Sequence, residues 1–325
     1  MKKLILSAFI LFLNVHFSLG QNSKEYHSLI GEAWELYQSQ DYEESAETYM
    51  EAFSETDSKA RTTDRYNAAC SWALAGNVDN SFVQLFKVAE EGNYTNLEHI
   101  STDPDLDILH SDKRWSNILE IVKDNKEKAE ANFNKPLVAE LEAIYESDQA
   151  PRRKYSEVLK EHGQDSEEMI ALIQKLQKTD SINLIKVRKI IDEHGWLGPD
   201  IIGKKGNATL FLVIQHADLE IQQQYLPLMR EAVEKGDARA SSLALLEDRI
   251  ALRQGKRQIY GSQVARDQET GEYYVSPLKD PENVNKRRAE VGLPPIEDYV
   301  SRWGIEWDAE EYKAELPELE ARINK

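Results

Sequence analysis

Residues 24–91 can be laid on themselves with an offset of 36, which pairs Ala33 with Ala69, Leu36 with Trp72, Ser45 with Ser81, Tyr49 with Leu85 and Ala52 with Val88. Small side chains meet small ones and large meet large. A repeat of this length is one pair of helices that cannot bury its apolar face alone and must stack on its neighbour. The small positions are where two helix axes can approach closely. Asp41 with Glu44 three residues on has the spacing of a capping box, and Asn77 takes the equivalent place after Gly76 has ended the preceding helix. The front of the chain is therefore expected to be a short stack of helical hairpins.

This stretch resembles the tetratricopeptide repeat. The family's Gly-Asp-Tyr turn reads Gln40-Asp41-Tyr42 in the first copy and Gly76-Asn77-Val78 in the second, and Asp103-Pro104-Asp105-Leu106 through Trp115 and Leu119 looks like the helix that caps such units. The resemblance implies a surface for a protein partner. Cys70, beside Ala69 on the inner helix, reads as a small buried hydrophobe.

Lys2 and Lys3, an apolar run from Leu4 to Leu13, and Ser18 and Gly20 ahead of Gln21 have the form of a secretory signal peptide over residues 1–20. That run is too short for a membrane span, and no later stretch is longer. The expectation is an exported chain, periplasmic or secreted. One cysteine cannot make an internal disulfide, so stability has to come from burial. A formal net charge of −18 repels phosphate backbones and anionic membrane surfaces, which argues against a nucleic-acid partner.

The repeat unit and its cap occupy residues 21–122, and a charged linker helix is expected over 123–135, where large apolar residues are sparse from Lys123 to Glu130. A second domain fills 136–325. Leu137, Leu141, Ile144 and Tyr145 recur at helical spacing as far as the breaker Pro151. Met169, Leu172, Ile173 and Leu176 mark a helix starting near Asp165-Ser166, and Leu184, Val187, Ile190 and Ile191 another that ends at Gly195. The most apolar stretch, Leu210 to Met229, predicts a central helix, and a further one runs from about Ala238 to Arg253. Gln258 to Val264, a turn near Glu269-Thr270-Gly271, and Tyr273-Tyr274-Val275 predict a β-hairpin. The fold class is mainly α, with α+β character from that hairpin.

Residues 136–310 resemble an uncharacterised bacterial domain family found behind signal peptides or repeat units. The residues that carry the likeness are Asp148-Gln149 with Arg152 or Arg153, Gly195-Trp196, Gln215-His216-Ala217-Asp218, Asp248-Arg249, Gln258, Tyr260-Gly261-Ser262-Gln263, and Arg287-Arg288 ahead of Gly292-Leu293. The resemblance implies no established activity.

Chemistry has one obvious place to be. Gln215, His216 and Asp218 interrupt the apolar run, and an unpartnered polar group there would cost about 1–3 kcal/mol. Asp248, Arg249, Gln258, Tyr260 and Gln263 are the nearest polar groups in the adjoining elements. In one arrangement His216 is a general acid or base tuned by Asp248 or Asp218, Arg249 binds an anionic ligand group, and Gly261 lets that group approach the backbone. The same residues would equally serve as a hydrogen-bond network locking two helices to the hairpin. No metal is expected, because His216 and Asp218 point to different sides of a helix and no pair of histidines is four apart on one face. No cofactor is expected either. Gly198 to Lys205 imitates a phosphate loop but lacks its final hydroxyl and its preceding strand; Lys204 and Lys205, near a helix start, remain a place for a small anion. The chain thus reads as an exported interaction or scaffold protein carrying a ligand-binding domain. The alternative is a hydrolase or lyase acting on an envelope or extracellular polymer.

Overall fold

The computed structural model describes residues 25–55, 60–267 and 270–323, so the expected signal peptide lies outside the described residues. The chain divides into two compact units between Ala131 and Asn132. The described residues are mainly helical, with one two-stranded antiparallel sheet. No helix among the described residues is long and apolar enough to cross a membrane.

The first unit contains α1 (25–38), α2 (Tyr42–Ser54), α3 (Thr62–Leu74), α4 (Val78–Phe86, running on through a π turn, Lys87–Glu91), α5 (Leu97–Thr102), a 3-10 turn (Pro104–Leu109) and α6 (Lys113–Ala129). Its self-similarity reaches individual hydrogen bonds. Ser45 Oγ donates to Ala33 O at 2.7 Å, and 36 residues on Ser81 Oγ donates to Ala69 O at 2.8 Å. Both alanines are fully buried, and a larger residue there would hold the helices too far apart for either bond. The intervening turns match as well: Gln40 and Gly76 both have positive φ, and Asp41 N and Asn77 N close back on Leu36 O and Trp72 O. The caps differ. Asn77 accepts from Asn80 N, but Asp41 makes no side-chain cap, so the expected capping box with Glu44 does not form. A hydroxyl suits that motif, whereas here two carboxylates would be brought together.

Cys70 is buried, and burial together with Asp103 and Asp105 pushes its thiol pKa up. Along α6, Trp115, Ile118 and Val122 face the core. Beyond them Lys123–Glu127 and Lys126–Glu130 pairs line a solvated end that stops at Ala129, short of the full 123–135 span expected for a linker helix.

The second unit contains α7 (Lys135–Arg153), α8 (Tyr155–His162), α9 (Glu167–His194), α10 (Pro199–His216), α11 (Leu219–Lys235) and α12 (Ala240–Arg253). All of these but α8, which buries no residue, share one core that includes Leu141, Val187, Leu210, Ile214, Met229 and Leu246. After it come β1 (Val264–Arg266), β2 (Tyr273–Val275), α13 (Val284–Glu290), α14 (Ile296–Val300) and α15 (Ala309–Ile323), packed round a second core with Leu278, Ile296 and Tyr312.

Four boundaries differ from the sequence expectation. Pro151 does not end α7, which continues to Arg153. The two helices expected between residues 165 and 195 are one helix of 28 residues, since no glycine or proline interrupts them. The predicted central helix is broken at Ala217, which is extended (ψ 172°), because Asp218 caps α11 by accepting from Ile221 N. The first strand is only Val264–Arg266, in register Val264 with Val275. Gln258 forms an isolated bridge with Leu278, and from Ile259 to Gln263 the chain is a loop in which the N–H groups of Ile259, Tyr260, Ser262 and Gln263 are taken by side chains instead of a ladder. In the expected turn, Glu269 lies outside the described residues, and Thr270 N donates to Asp267.

Candidate functional site

On α7 the buried positions run Leu141, Ile144, Asp148, Pro151, so Asp148 occupies the next core place in an apolar series. It is 1% exposed. Arg152, one turn on and on the same face, sends Nη1 to Asp148 O at 2.7 Å and to Asp148 Oδ1 at 3.1 Å. Its Nη2 grips both carboxylate oxygens of Asp180 on α9, at 2.7 and 2.9 Å. His216, the last residue of α10, places Nδ1 at 3.2 Å from Asp148 Oδ1, and Gln149 Nε2 donates to Oδ2 at 2.7 Å. A carboxylate only accepts, so Nδ1 carries a hydrogen, and Nε2 has no partner among the described residues.

Burial alone would raise the Asp148 pKa, but His216, Arg152 and Gln149 more than offset it and hold the carboxyl below its usual value. A carboxyl held lower in the folded chain than the ordinary value of about 3.9 stabilises above that pH and loses the contribution as pH falls through the folded value. Asp148→Asn is therefore expected to lower stability at neutral pH by about 2–4 kcal/mol and to flatten the acid limb below about pH 4. Urea midpoints from pH 3 to 7 check this, and a variant with the wild-type acid limb would contradict it.

Two further arginines reach the same helix end from α12. Arg249 Nη1 donates to Gln215 O at 3.3 Å and Arg253 Nη1 to Ala217 O at 2.8 Å, on either side of His216, where the carboxyl end of a helix favours cations. Burial, then Arg253 and Arg152, lower the Arg249 pKa, and Tyr299 acts the other way. Arg249 Nε is buried without a partner among the described residues. Among the described residues neither Arg249 nor Arg253 has a carboxylate within ion-pair distance.

The other residues singled out in the sequence lie elsewhere. Asp248 is fully buried and spends its oxygens on the loop: Oδ1 accepts from Ile259 N (2.6 Å) and Tyr260 N (3.0 Å), and Oδ2 from Ser262 N (3.0 Å). Burial raises its pKa and those N–H groups pull it part of the way back. It is bonded neither to His216 nor to Arg249, because adjacent helix residues point in different directions. Asp218 is a cap. Gln215 O accepts from Gln222 Nε2 as well as Arg249, while its own Oε1 has no partner among the described residues. Gln258 is fully buried, with Nε2 donating to Gln263 O and Ser276 O and Oε1 accepting from Gln263 N. Tyr260 O accepts from Arg288, and Gln263 Nε2 donates to Ser262 Oγ. At Gly261 (φ 67°) a Cβ would stand 2.6 Å from Ile296 Cδ1, so its openness is used for packing and not for a ligand. Lys205 is paired with Glu146 at 3.0 Å and is not a free anion contact.

Sequence reasoning did not assign chemistry to Asp148, Arg152, Asp180 or Arg253. The legible signal was an acidic residue at a core position of α7 with an arginine four residues later. Asp148, Asp180 and His216 also bring three potential metal-ligand atoms within 4.8 Å of one another. Arg152 already neutralises both carboxylates, so a metal ion would have to displace a bound cation.

The fold and the site together define a helical domain organised round a buried carboxylate–imidazole–guanidinium cluster. The chain belongs to a family of unknown function, DUF6624, whose model matches residues 135–310 and so spans every residue of the cluster. Comparisons with curated proteins and with solved structures give no match.

Proposed function

We propose that residues 135–310 are a ligand-binding domain that receives an anionic group at the carboxyl end of α10, with Arg249 and Arg253 as its charge partners and His216 Nε2 beside it. One observation carries this reading: of the three arginines round His216, Arg152 has two carboxylates while Arg249 and Arg253 have none among the described residues. Guanidinium forks suit carboxylate and phosphate oxygens. The pairing of Asp148 with Nδ1 favours a second reading, in which the bound anion is a substrate and His216 moves a proton at Nε2 as general acid or base in a hydrolase or lyase. The front unit, with its 36-residue periodicity, is proposed as a tetratricopeptide-type surface for a protein partner in an exported chain.

Inorganic phosphate is the probe for the anion site. Histidine NMR, with the His216 signal identified by its loss in His216→Gln, should show a saturable shift on phosphate addition. Arg249→Gln and Arg253→Gln should each weaken it about tenfold or more. A His216 signal indifferent to phosphate, or equal affinity in Arg253→Gln, would overturn the assignment.

A further inference from the structure

Cys70 is the chain's only cysteine, and in the front unit its thiol meets other donors. It lies one turn beyond Tyr66 on the same face of α3 and is 4% exposed. Its Sγ and one oxygen each of Asp103 and Asp105 all lie within 4.8 Å of one another. Asp103 caps the 3-10 turn that contains Asp105, so both carboxylates come from one short bend packed on α3.

A fourth donor approaches from α5. His99 Nε2 stands 3.9 Å from Asp103 Oδ2, too far for a hydrogen bond. Its Nδ1 is 2.9 Å from the Tyr94 hydroxyl and its ring packs on Tyr66, with centroids 4.9 Å apart, so the imidazole is fixed with Nε2 turned to the cluster. The carboxylates are fixed as well: Tyr37 OH donates to Asp105 Oδ2 at 2.5 Å and Tyr66 OH to Asp103 Oδ2 at 2.8 Å. In metal centres the far nitrogen of a ligating histidine and the ligating carboxylates are held in this way.

The charges are unbalanced. Among the described residues no lysine or arginine lies within ion-pair distance of Asp103 or Asp105. The set of Asp148, Asp180 and His216 differs, since Arg152 stands between its carboxylates. The thiol does not fill that role: its one polar contact, 3.9 Å to Asp103 Oδ2, is that of a weak donor. A buried sulfur without a strong partner is thus aimed at two carboxylates, of which Asp103 is only 13% exposed.

We propose that Cys70, His99, Asp103 and Asp105 bind a zinc ion in the front unit. Thiolate and imidazole select zinc over magnesium or calcium, which take oxygen donors. On binding, the thiol proton leaves to solvent and the sulfur bonds to zinc through the freed lone pair, with no electron transferred. Tetrahedral bonds of about 2.0–2.3 Å need donors roughly 3.5 Å apart, so the cluster draws in by about 1 Å. His99, half exposed, marks the side from which the ion enters. The ion ties α3 to the bend after α5 and stabilises the front unit. It leaves the melting transition of the second unit, which supplies none of the donors, where it is.

The test uses the full-length protein with its thiol kept reduced, titrated with Co²⁺ and then with Zn²⁺. Co²⁺ should give a saturable sulfur-to-cobalt charge-transfer band in the near ultraviolet, and Zn²⁺ should bleach it. Cys70→Ser should abolish the band. His99→Gln and Asp105→Asn, which keep the sulfur in place, should each weaken Zn²⁺ binding about tenfold or more, whereas His216→Gln should not. Circular dichroism confirms that each variant is folded, and His99→Gln changes a half-exposed side chain. A wild-type protein without the band would overturn the site. So would Zn²⁺ affinity that survives both His99→Gln and Asp105→Asn, which would mean a lone thiol meeting an adventitious ion only.

Discussion

Asp248→Ala should lower the melting temperature of the second unit by roughly 8–16 °C, on a scale of about 2–4 °C per kcal/mol for a domain of this size. The carboxylate is the common acceptor for the backbone N–H groups of Ile259, Tyr260 and Ser262. Each of those groups, if left buried without an acceptor, costs about 1–3 kcal/mol, and about 4 kcal/mol in total allows for some regained water. The loop they belong to is also where Arg288 reaches Tyr260 O and where the Gln258 side chain bridges Gln263 and Ser276, so the damage extends into the second core. Asp248→Asn keeps one oxygen but turns an amide donor toward N–H donors, and should fall between wild type and alanine. Differential scanning calorimetry of the three proteins decides the matter. A loss under about 1 kcal/mol in the alanine variant would mean that the loop holds itself without the carboxylate.

How far the sequence showed this depends on the range of the interaction. The helical pairing at the front was legible because both partners of each contact are set by one short period: Ser45 with Ala33 and Ser81 with Ala69 are the same twelve-residue step. His216 was legible as a polar intruder in an apolar run, but its partner was not. Asp148 stands 68 residues away, and only the packing of α7 against α10 brings the two into register. Asp248 lay closer in sequence and was the natural choice, yet its helical position turns it toward the loop that follows.

Two polar patterns were misread for physical reasons. The gap in apolar periodicity near Lys178 to Ser181 looked like the space between helices. It is instead the stretch where α9 presents Asp180 to Arg152 and, at Asn183, an acceptor to Ser147. The alternation of Gln258, Tyr260 and Ser262 looked like a strand, but a strand needs its N–H groups for a ladder; only Gln258 keeps a backbone bridge, and Asp248 takes the N–H groups of Ile259, Tyr260 and Ser262.

Arg152→Met should convert the His216 cluster from a site neutralised by a side chain into one that takes a metal. Removing one partner of a buried ion pair costs about 3–5 kcal/mol, because Asp148 and Asp180 are left facing each other with only His216 and Gln149 nearby. The same change leaves three donors within 4.8 Å with no cation among them, a set of two carboxylates and one imidazole that suits Zn²⁺ or Mn²⁺. The variant should therefore melt well below wild type in chelator. Zinc at a hundred times its dissociation constant should then restore about 2.7 kcal/mol, while wild type, whose carboxylates are already occupied by Arg152, should show no such gain. Thermal melts with and without zinc, repeated with Arg152→Met/His216→Gln to remove the third donor, make the comparison. Equal stabilisation of wild type would mean that a metal displaces Arg152 in the native protein, and the cluster would then be a metal centre in its own right. An Arg152→Met variant that zinc cannot rescue would show that the three donors are held apart by the helices and not by the guanidinium between them.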